Sequence, residues 1–225
     1  MGNLFAKAMA GLLFLVTVLA LALFLPAGTL AYWQAWVFLA VWTVCVVLIT
    51  LYLMRFDQRL LQSRVQAGPA AEKQRAQQVI HSLASLAFIG IFVAAGLDRR
   101  NGWSHIPAWL SLLADGIVAL GFYFVFLVFR ENTFTSATIE VAEQQKVIST
   151  GPYRLVRHPM YAGAGLLVLF SGVALGSWVS VVFAVVLMLV IVLRLLDEEK
   201  FLQANLKGYE EYRRKVRYRL IPYIW

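Results

Sequence analysis

The chain has 225 residues, of which 61% are hydrophobic and only 14% are charged, well below the roughly 25% charged residues of soluble domains. A soluble fold of this length could not bury so much apolar surface, so the composition excludes an ordinary soluble protein and predicts a membrane protein. The net charge of +8 would suggest nucleic-acid binding in a soluble protein, but in a membrane protein it is typical of cytoplasmic loops near anionic lipids.

Four apolar segments in the first part of the chain are long enough to be membrane helices. They are predicted over about 4–25, 30–54, 79–97 and 107–129. The first resembles a signal peptide, but its apolar run is longer than a typical signal core, so we expect a retained helix. A polar segment, Arg55–Gln78, separates the second and third, and Gly68-Pro69 is expected to break it.

Two shorter apolar segments follow, Tyr161–Leu175 and Trp178–Leu196, separated only by Gly176-Ser177. This spacing predicts a tight helical hairpin whose first arm barely crosses an apolar layer of about 30 Å. A mixed segment precedes the hairpin, and a polar, aromatic tail follows it. The predicted fold class is therefore all-α: a polytopic integral membrane protein with about six membrane-embedded helices, in one domain over 1–225.

The distribution of cations predicts the orientation of these helices. Of the 20 Lys and Arg residues, only Arg99 and Arg100 lie between the third and fourth apolar segments, which leaves 20 − 2 = 18 for the opposite side. Positively charged residues favour the cytoplasmic side of a membrane. We therefore expect a multi-pass protein with both termini in the cytoplasm, where the polar segments and the tail can build one site together.

The segment 151–163, read Gly-Pro-Tyr-Arg-Leu-Val-Arg-His-Pro-Met-Tyr-Ala-Gly, is the most informative stretch. Pro159 disfavours a helix at His158 and suits the first turn of the helix that follows. Arg157 and His158 are therefore expected at a helix N-terminus, where free backbone N–H groups can hold a carboxylate or phosphate. The alternative is that the arginine reaches lipid phosphates and the tyrosines form an interfacial belt.

A second charged stretch, 194–199, lies at the end of the last apolar segment. Arg194 and Glu198 are four residues apart and share a helix face. Three consecutive acids, Asp197 to Glu199, would oppose the helix dipole if the helix ended there. That cost suggests a function, such as holding ligand hydroxyls or a cation, although a solvated charged helix end is the alternative.

The remaining candidates carry less information. The basic and aromatic tail, 208–223, is expected to rest on lipid headgroups and not on nucleic acid. His81 and His105 are expected at the membrane interface, and Asp115 is expected to have a packing role in the fourth segment. One cysteine, Cys45, and three scattered histidines predict neither a disulfide nor a metal site.

The order of these stretches is more specific than any one of them. Gly-Pro-Tyr, Arg-His-Pro-x-Tyr, a short hairpin, Asp-Glu-Glu, Gly-Tyr-x-x-Tyr and Arg-Leu-Ile-Pro follow one another between Phe134 and Trp225. This pattern resembles the isoprenylcysteine carboxyl methyltransferases and the related phospholipid methyltransferase-like membrane enzymes. The resemblance implies a methyltransferase-like catalytic region over about 131–225, behind four N-terminal transmembrane helices over about 1–130.

The resemblance also implies a cofactor and a set of site residues. S-adenosyl-L-methionine is expected in a cytosolic pocket that the C-terminal tail caps. The residues expected to contact it are Tyr153, Arg157, His158, Pro159, Tyr161, Glu198 and Glu199. The candidate catalytic residues are Glu198, His158 and Arg194.

The methyl acceptor is not fixed by the resemblance, because the family includes enzymes for prenylated proteins, lipid amines and small thiols. The hairpin reads Phe-Ser-Gly-Val-Ala-Leu at 170–175 and lacks the Phe-Trp-Ala-Thr-Pro stretch of the methanethiol-methylating branch. We expect a lipid-like or lipid-modified acceptor, with a small hydrophobic thiol as the alternative. The rival functions are an NADPH-dependent reductase of the sterol-reductase kind and a non-catalytic membrane scaffold.

Overall fold

The computed structural model describes residues 2–65, 75–135 and 146–225, and helices dominate all three ranges. The expected break at Gly68-Pro69 lies outside them. Helices α1, α2, α4, α5 and α7 are long and apolar enough to cross a membrane, and α6 is a shorter apolar helix. The predicted all-α polytopic fold is confirmed. The helices are α1 (Gly2–Ala27), α2 (Trp33–Phe56), α3 (Gln58–Val65), α4 (Arg75–Asn101), α5 (Ala108–Glu131), α6 (Pro159–Ala174), α7 (Trp178–Asn205) and α8 (Tyr209–Lys215), with a 3-10 turn at Gly151–Arg154.

The last membrane helix is longer than its apolar part. Helix α7 continues to Asn205, so the three acids 197–199 do not stand at a helix C-terminus. The expectation of a dipole cost at that position was wrong. The residues that follow Leu196 include Glu, Lys, Leu and Gln, which are good helix formers, so the helix extends past the apolar boundary.

One end of the bundle is formed by the short turns after α1, α4 and α6. Asp98 accepts hydrogen bonds from the backbone N and the Oγ of Ser104 at 2.8 and 2.6 Å, and from Ser177 Oγ. Tyr32 Oη donates to the Leu175 carbonyl at 2.5 Å. The α6–α7 turn lies at Gly176, with φ of 76°, and Ser177 caps α7. The predicted hairpin is confirmed.

The opposite end carries the N-terminus, α3 and the tail. Ala8 of α1, Leu53 of α2, Leu60 of α3 and Phe129 of α5 belong to one hydrophobic cluster. Helix α6 begins at this side of the bundle, and helix α7 ends there. The structure therefore places the starting residues of the chain and the tail together, and Arg99 at the other end of the bundle.

Helix pairs in the bundle meet through small residues. Helix α5 packs along α6, and α4 packs along both α1 and α7. A Cβ on Gly96 of α4 would lie 2.4 Å from the Leu23 carbonyl oxygen of α1. Such approaches are typical of membrane helices, where van der Waals packing has to hold the helices together. They fix the helix ends from which the functional residues project.

Candidate functional site

The start of α6 is held by the C-terminal tail. Pro159 begins α6, as predicted, and His158 precedes it in a non-helical conformation. The backbone N–H groups of Arg157 and His158 donate to the carbonyls of Tyr218 and Arg219 at 2.9 and 3.0 Å. The tail thus occupies donors that the sequence suggested for an anion.

Glu199 links the start of α6, the end region of α7 and the tail. Its Oε1 accepts from Arg157 Nε at 2.7 Å and lies 3.3 Å from His158 Nε2, and its Oε2 accepts from Arg219 Nε at 2.8 Å. Only 3% of Glu199 is exposed. A buried carboxylate with three basic partners is an anchor point, and Glu199 is not among the residues that border the cavity described below.

Arg157 completes this anchor. Its Nη1 donates to the carbonyls of Val216 and Arg217 at 3.0 and 2.7 Å, and 7% of the residue is exposed. The sequence suggested that Arg157 binds a ligand anion directly. In the structure its side chain borders the cavity, but its described hydrogen bonds go to Glu199 and to the tail.

A cavity of about 300 Å³ lies beside this anchor, at the small end of the range of ligand pockets. Seven of the eight predicted site residues border it, together with residues from α3, α4, α8 and the segment that follows α5. The predicted site residues that line the cavity are Tyr153, Arg157, His158, Pro159, Tyr161, Arg194 and Glu198. Other described lining residues include Arg64, His81, Asn132, Tyr209 and Tyr212.

The polar wall of the cavity is a chain of hydrogen bonds between α6, α7 and α4. Tyr161 Oη donates to Glu198 Oε2 at 2.6 Å and accepts from Arg194 Nε at 3.3 Å. Arg194 Nη1 donates to Gln77 Oε1 at 3.4 Å, and Gln77 in turn donates to Asp197. The predicted Arg194 and Glu198 pair is therefore on one face and joined through Tyr161. This network fixes a carboxylate at the cavity surface, where it can accept a proton or a hydrogen bond from a ligand hydroxyl.

Tyrosine hydroxyls form the other polar surface. Tyr153 Oη accepts from Asn132 Nδ2 at 2.9 Å, and burial raises the pKa of Tyr153 to about 12. Burial, helped by the charge of Glu199, also raises the pKa of Tyr209, whose Oη is buried and has no hydrogen-bond partner in the described part of the chain. Both phenols are therefore neutral donors near pH 7.

Several lining residues could not be found from the motifs. Arg64 comes from α3 and His81 from α4, both far in sequence from 151–199. His81, which we expected only at the interface, borders the cavity. Asp115 does not border it, and in the described structure neither of its carboxylate oxygens has a hydrogen-bond partner. The sequence held no signal for Arg64 beyond a cation in a polar segment.

Comparison with known families agrees with the resemblance seen in the sequence. The family model described as phospholipid methyltransferase matches residues 109–208, which span α5, α6 and α7 and end just before α8. This confirms the resemblance to membrane methyltransferases and extends it into α5, which precedes the motifs between Phe134 and Trp225. A search of curated proteins finds no match.

Proposed function

We propose that this protein is an S-adenosylmethionine-dependent methyltransferase that acts at the cytosolic face of a membrane on a lipid-like acceptor. The observation that carries the proposal is the cavity at the tail end of the bundle, bordered by the family-matched residues His158, Tyr161 and Glu198. The face is inferred from the cations, because Arg99 and Arg100 lie at the opposite end of the bundle from the tail.

The residues present suit the cofactor. When bound, S-adenosylmethionine supplies an electrophilic methyl carbon on a sulfonium, flanked by an amino acid group and a nucleoside. Glu198 can accept hydrogen bonds from the ribose hydroxyls or the amine. The buried, unpartnered Tyr209 Oη and Arg64 Nε provide donors for oxygen or nitrogen acceptors. Neutral tyrosine faces attract a sulfonium by about 0.5–2 kcal/mol.

The chain's own residues then divide into two groups. Tyr161 and Arg194 hold the Glu198 carboxylate at the cavity surface, where it can accept the proton of an amine or thiol acceptor. His158 is the second candidate for this base. A carboxylate acceptor needs no base. Arg157 and Glu199 act indirectly, by holding the C-terminal tail at the start of α6, beside the cavity.

The helices around the cavity support a lipid-like acceptor. Ala84 of α4 borders the cavity, while Leu83 and Leu86 on the same helix are 51% and 71% exposed. On α7, Arg194 borders the cavity while Leu193 is 59% exposed. The polar site thus lies one residue away from the lipid-facing surface of two helices. An acceptor held in the bilayer could enter sideways and use its apolar tail for alignment.

Equilibrium binding to the purified full-length chain tests the function. We expect S-adenosylmethionine to bind and NADPH not to bind, with binding reduced in Glu198→Gln and unchanged in Glu211→Gln, an exposed acid of α8. Binding of NADPH alone would identify a reductase. If neither compound binds, a non-catalytic membrane scaffold is the remaining function.

A further inference from the structure

Arg64 is a cation of the cavity wall that lies outside the family-matched residues. Its Nη2 donates to the Thr135 carbonyl at 3.1 Å, and its guanidinium carbon lies 4.7 Å from the centre of the Phe129 ring. Its Nε is buried and has no hydrogen-bond partner in the described structure. Arg64 therefore places a positive charge at the cavity wall and keeps one buried donor without a partner in the described structure.

The other charges of the cavity wall already have partners or are exposed. The described lining contains four cations, Arg64, Lys146, Arg157 and Arg194, and one acid, Glu198. Arg157 is paired with Glu199, Arg194 is linked to Glu198 through Tyr161, and Lys146 is exposed.

Arg64 differs from these cations. It forms no ion pair with an acid of the described residues. Burial lowers the pKa of Arg64 to about 10, and the groups that oppose this shift are the tyrosines Tyr153 and Tyr161. A charge that is partly removed from water without an ionic partner is unfavourable, and a buried donor without an acceptor adds to that cost.

The hydrogen bond to Thr135 and the contact with the Phe129 ring leave the Arg64 Nε without an acceptor. An apolar side chain would pack against Phe129 without either cost. A guanidinium, by contrast, offers a fork of donors that matches two oxygens of a carboxylate or a phosphate. We propose that Arg64 is the anion-binding residue of the cavity and holds the carboxylate or phosphate of the molecule bound there. This inference rests on the proposed function, and it adds a residue from α3 to the site.

The experiment compares two ligands that differ only in the anion. S-adenosylmethionine and its decarboxylated analogue are titrated into the wild-type chain, Arg64→Gln and Arg64→Lys. Arg59→Gln is the matched control, since Arg59 is an exposed arginine of the same helix. If the anion is the cofactor carboxylate, Arg64→Gln weakens binding of S-adenosylmethionine tenfold or more and leaves binding of the analogue unchanged. Arg64→Lys should recover part of the loss, because the charge returns without the fork.

A second experiment tests whether the bound anion is a phosphate on the methyl acceptor. Here Arg64→Gln binds S-adenosylmethionine normally but raises the KM for phosphatidylethanolamine tenfold or more, with no change for a long-chain amine that lacks a phosphate. The two sources of the anion are thus distinguished by which ligand loses affinity. Equal losses with and without the anion, or no loss in either arm, would overturn the proposal.

Failure of the proposed function is separable from failure of this inference. If the wild-type chain binds no S-adenosylmethionine, inorganic phosphate becomes the probe, and the thermal midpoint of unfolding is the readout. A phosphate-dependent rise in the wild type and Arg59→Gln that is absent in Arg64→Gln keeps Arg64 as an anion site. The absence of any rise in the wild type rejects it.

Discussion

Arg157 Nε lies 2.7 Å from Glu199 Oε1 in an ion pair whose side chains are 5% and 4% exposed. The pair joins the start of α6 to α7, and both partners also hold the C-terminal tail. One interaction thus ties the position of the helix start to that of the C-terminal tail. The Arg-His-Pro motif and the second glutamate of the acidic stretch are linked by this anchor.

Replacing Glu199 should release the tail. Glu199→Gln leaves Arg157 buried without a carboxylate, and breaking a buried pair in this way costs about 3–5 kcal/mol. We expect a lower thermal midpoint in detergent and faster tryptic cleavage at Arg213 and Arg214, which precede the segment held by Arg157. Circular dichroism and mass spectrometry of the digest measure the two effects.

The control for that variant is Glu211→Gln. Glu211 pairs with Lys215 on the exposed surface of α8, with side chains 72% and 71% exposed, and such pairs contribute little. Its midpoint and cleavage rate should equal those of the wild type. A Glu199→Gln chain as stable and as protease-resistant as this control would show that the pair is not the anchor of the tail.

Tyr161→Phe should affect the cofactor with little effect on the fold. The change removes one oxygen, which donates to Glu198 at 2.6 Å and accepts from Arg194 at 3.3 Å. Without it the carboxylate is no longer fixed at the cavity surface. We expect affinity for S-adenosylmethionine to fall tenfold or more, about 1.4 kcal/mol, in Tyr161→Phe, Glu198→Gln and His158→Ala. Calorimetry on all three that shows wild-type affinity would remove this cavity as the cofactor site.

Labelling should place the tail and the α4–α5 turn on opposite sides of the membrane. In a Cys45→Ala background, Lys215→Cys should react with a membrane-impermeant maleimide only from the cytoplasmic side. Asn101→Cys should react only from the other side, because eighteen of the 20 cations favour a cytoplasmic location for the tail. The reaction of both cysteines from the same side would contradict this topology.

A close helix contact predicts the effect of one methyl group. Gly96→Ala would put a Cβ 2.4 Å from the Leu23 carbonyl oxygen, so α4 and α1 must separate. We expect a destabilisation of about 1–3 kcal/mol, measured by thermal unfolding in detergent. Gly116→Ala is the matched control, because a Cβ there meets nothing within 4 Å and alanine favours the helix. Equal stability of the two variants would show that the α1–α4 contact is looser than described.

The acceptor should be a molecule that partitions into the membrane. Labelled S-adenosylmethionine supplied with a membrane lipid extract, a prenylcysteine analogue or short-chain thiols tests this expectation. Transfer to a lipid-like acceptor is expected, since exposed leucines flank the cavity-lining residues on α4 and α7. Transfer to short-chain thiols alone would show that the membrane only anchors the enzyme.

The sequence by itself determined the class of the protein and most of its helices. Apolar length predicted six membrane-embedded segments and the hairpin at Gly176-Ser177, because a segment that lies in lipid must be both apolar and helical. It did not predict α3 as a helix or the extension of α7 to Asn205, because polar residues carry no hydrophobic signal of this strength. The ordered motifs pointed to the methyltransferase family, which the match to residues 109–208 supports.

The tertiary structure determined which motif residues border the cavity and which of them hold the C-terminal tail. Glu198 and Glu199 are adjacent in the chain, yet one borders the cavity and the other is buried against Arg157 and the tail. Successive residues of a helix point about 100° apart, and only the packing of α6, α7 and the tail selects which of them meets the cavity. Arg64 reaches the same cavity from α3, a contact between distant parts of the chain that depends on how the helices pack.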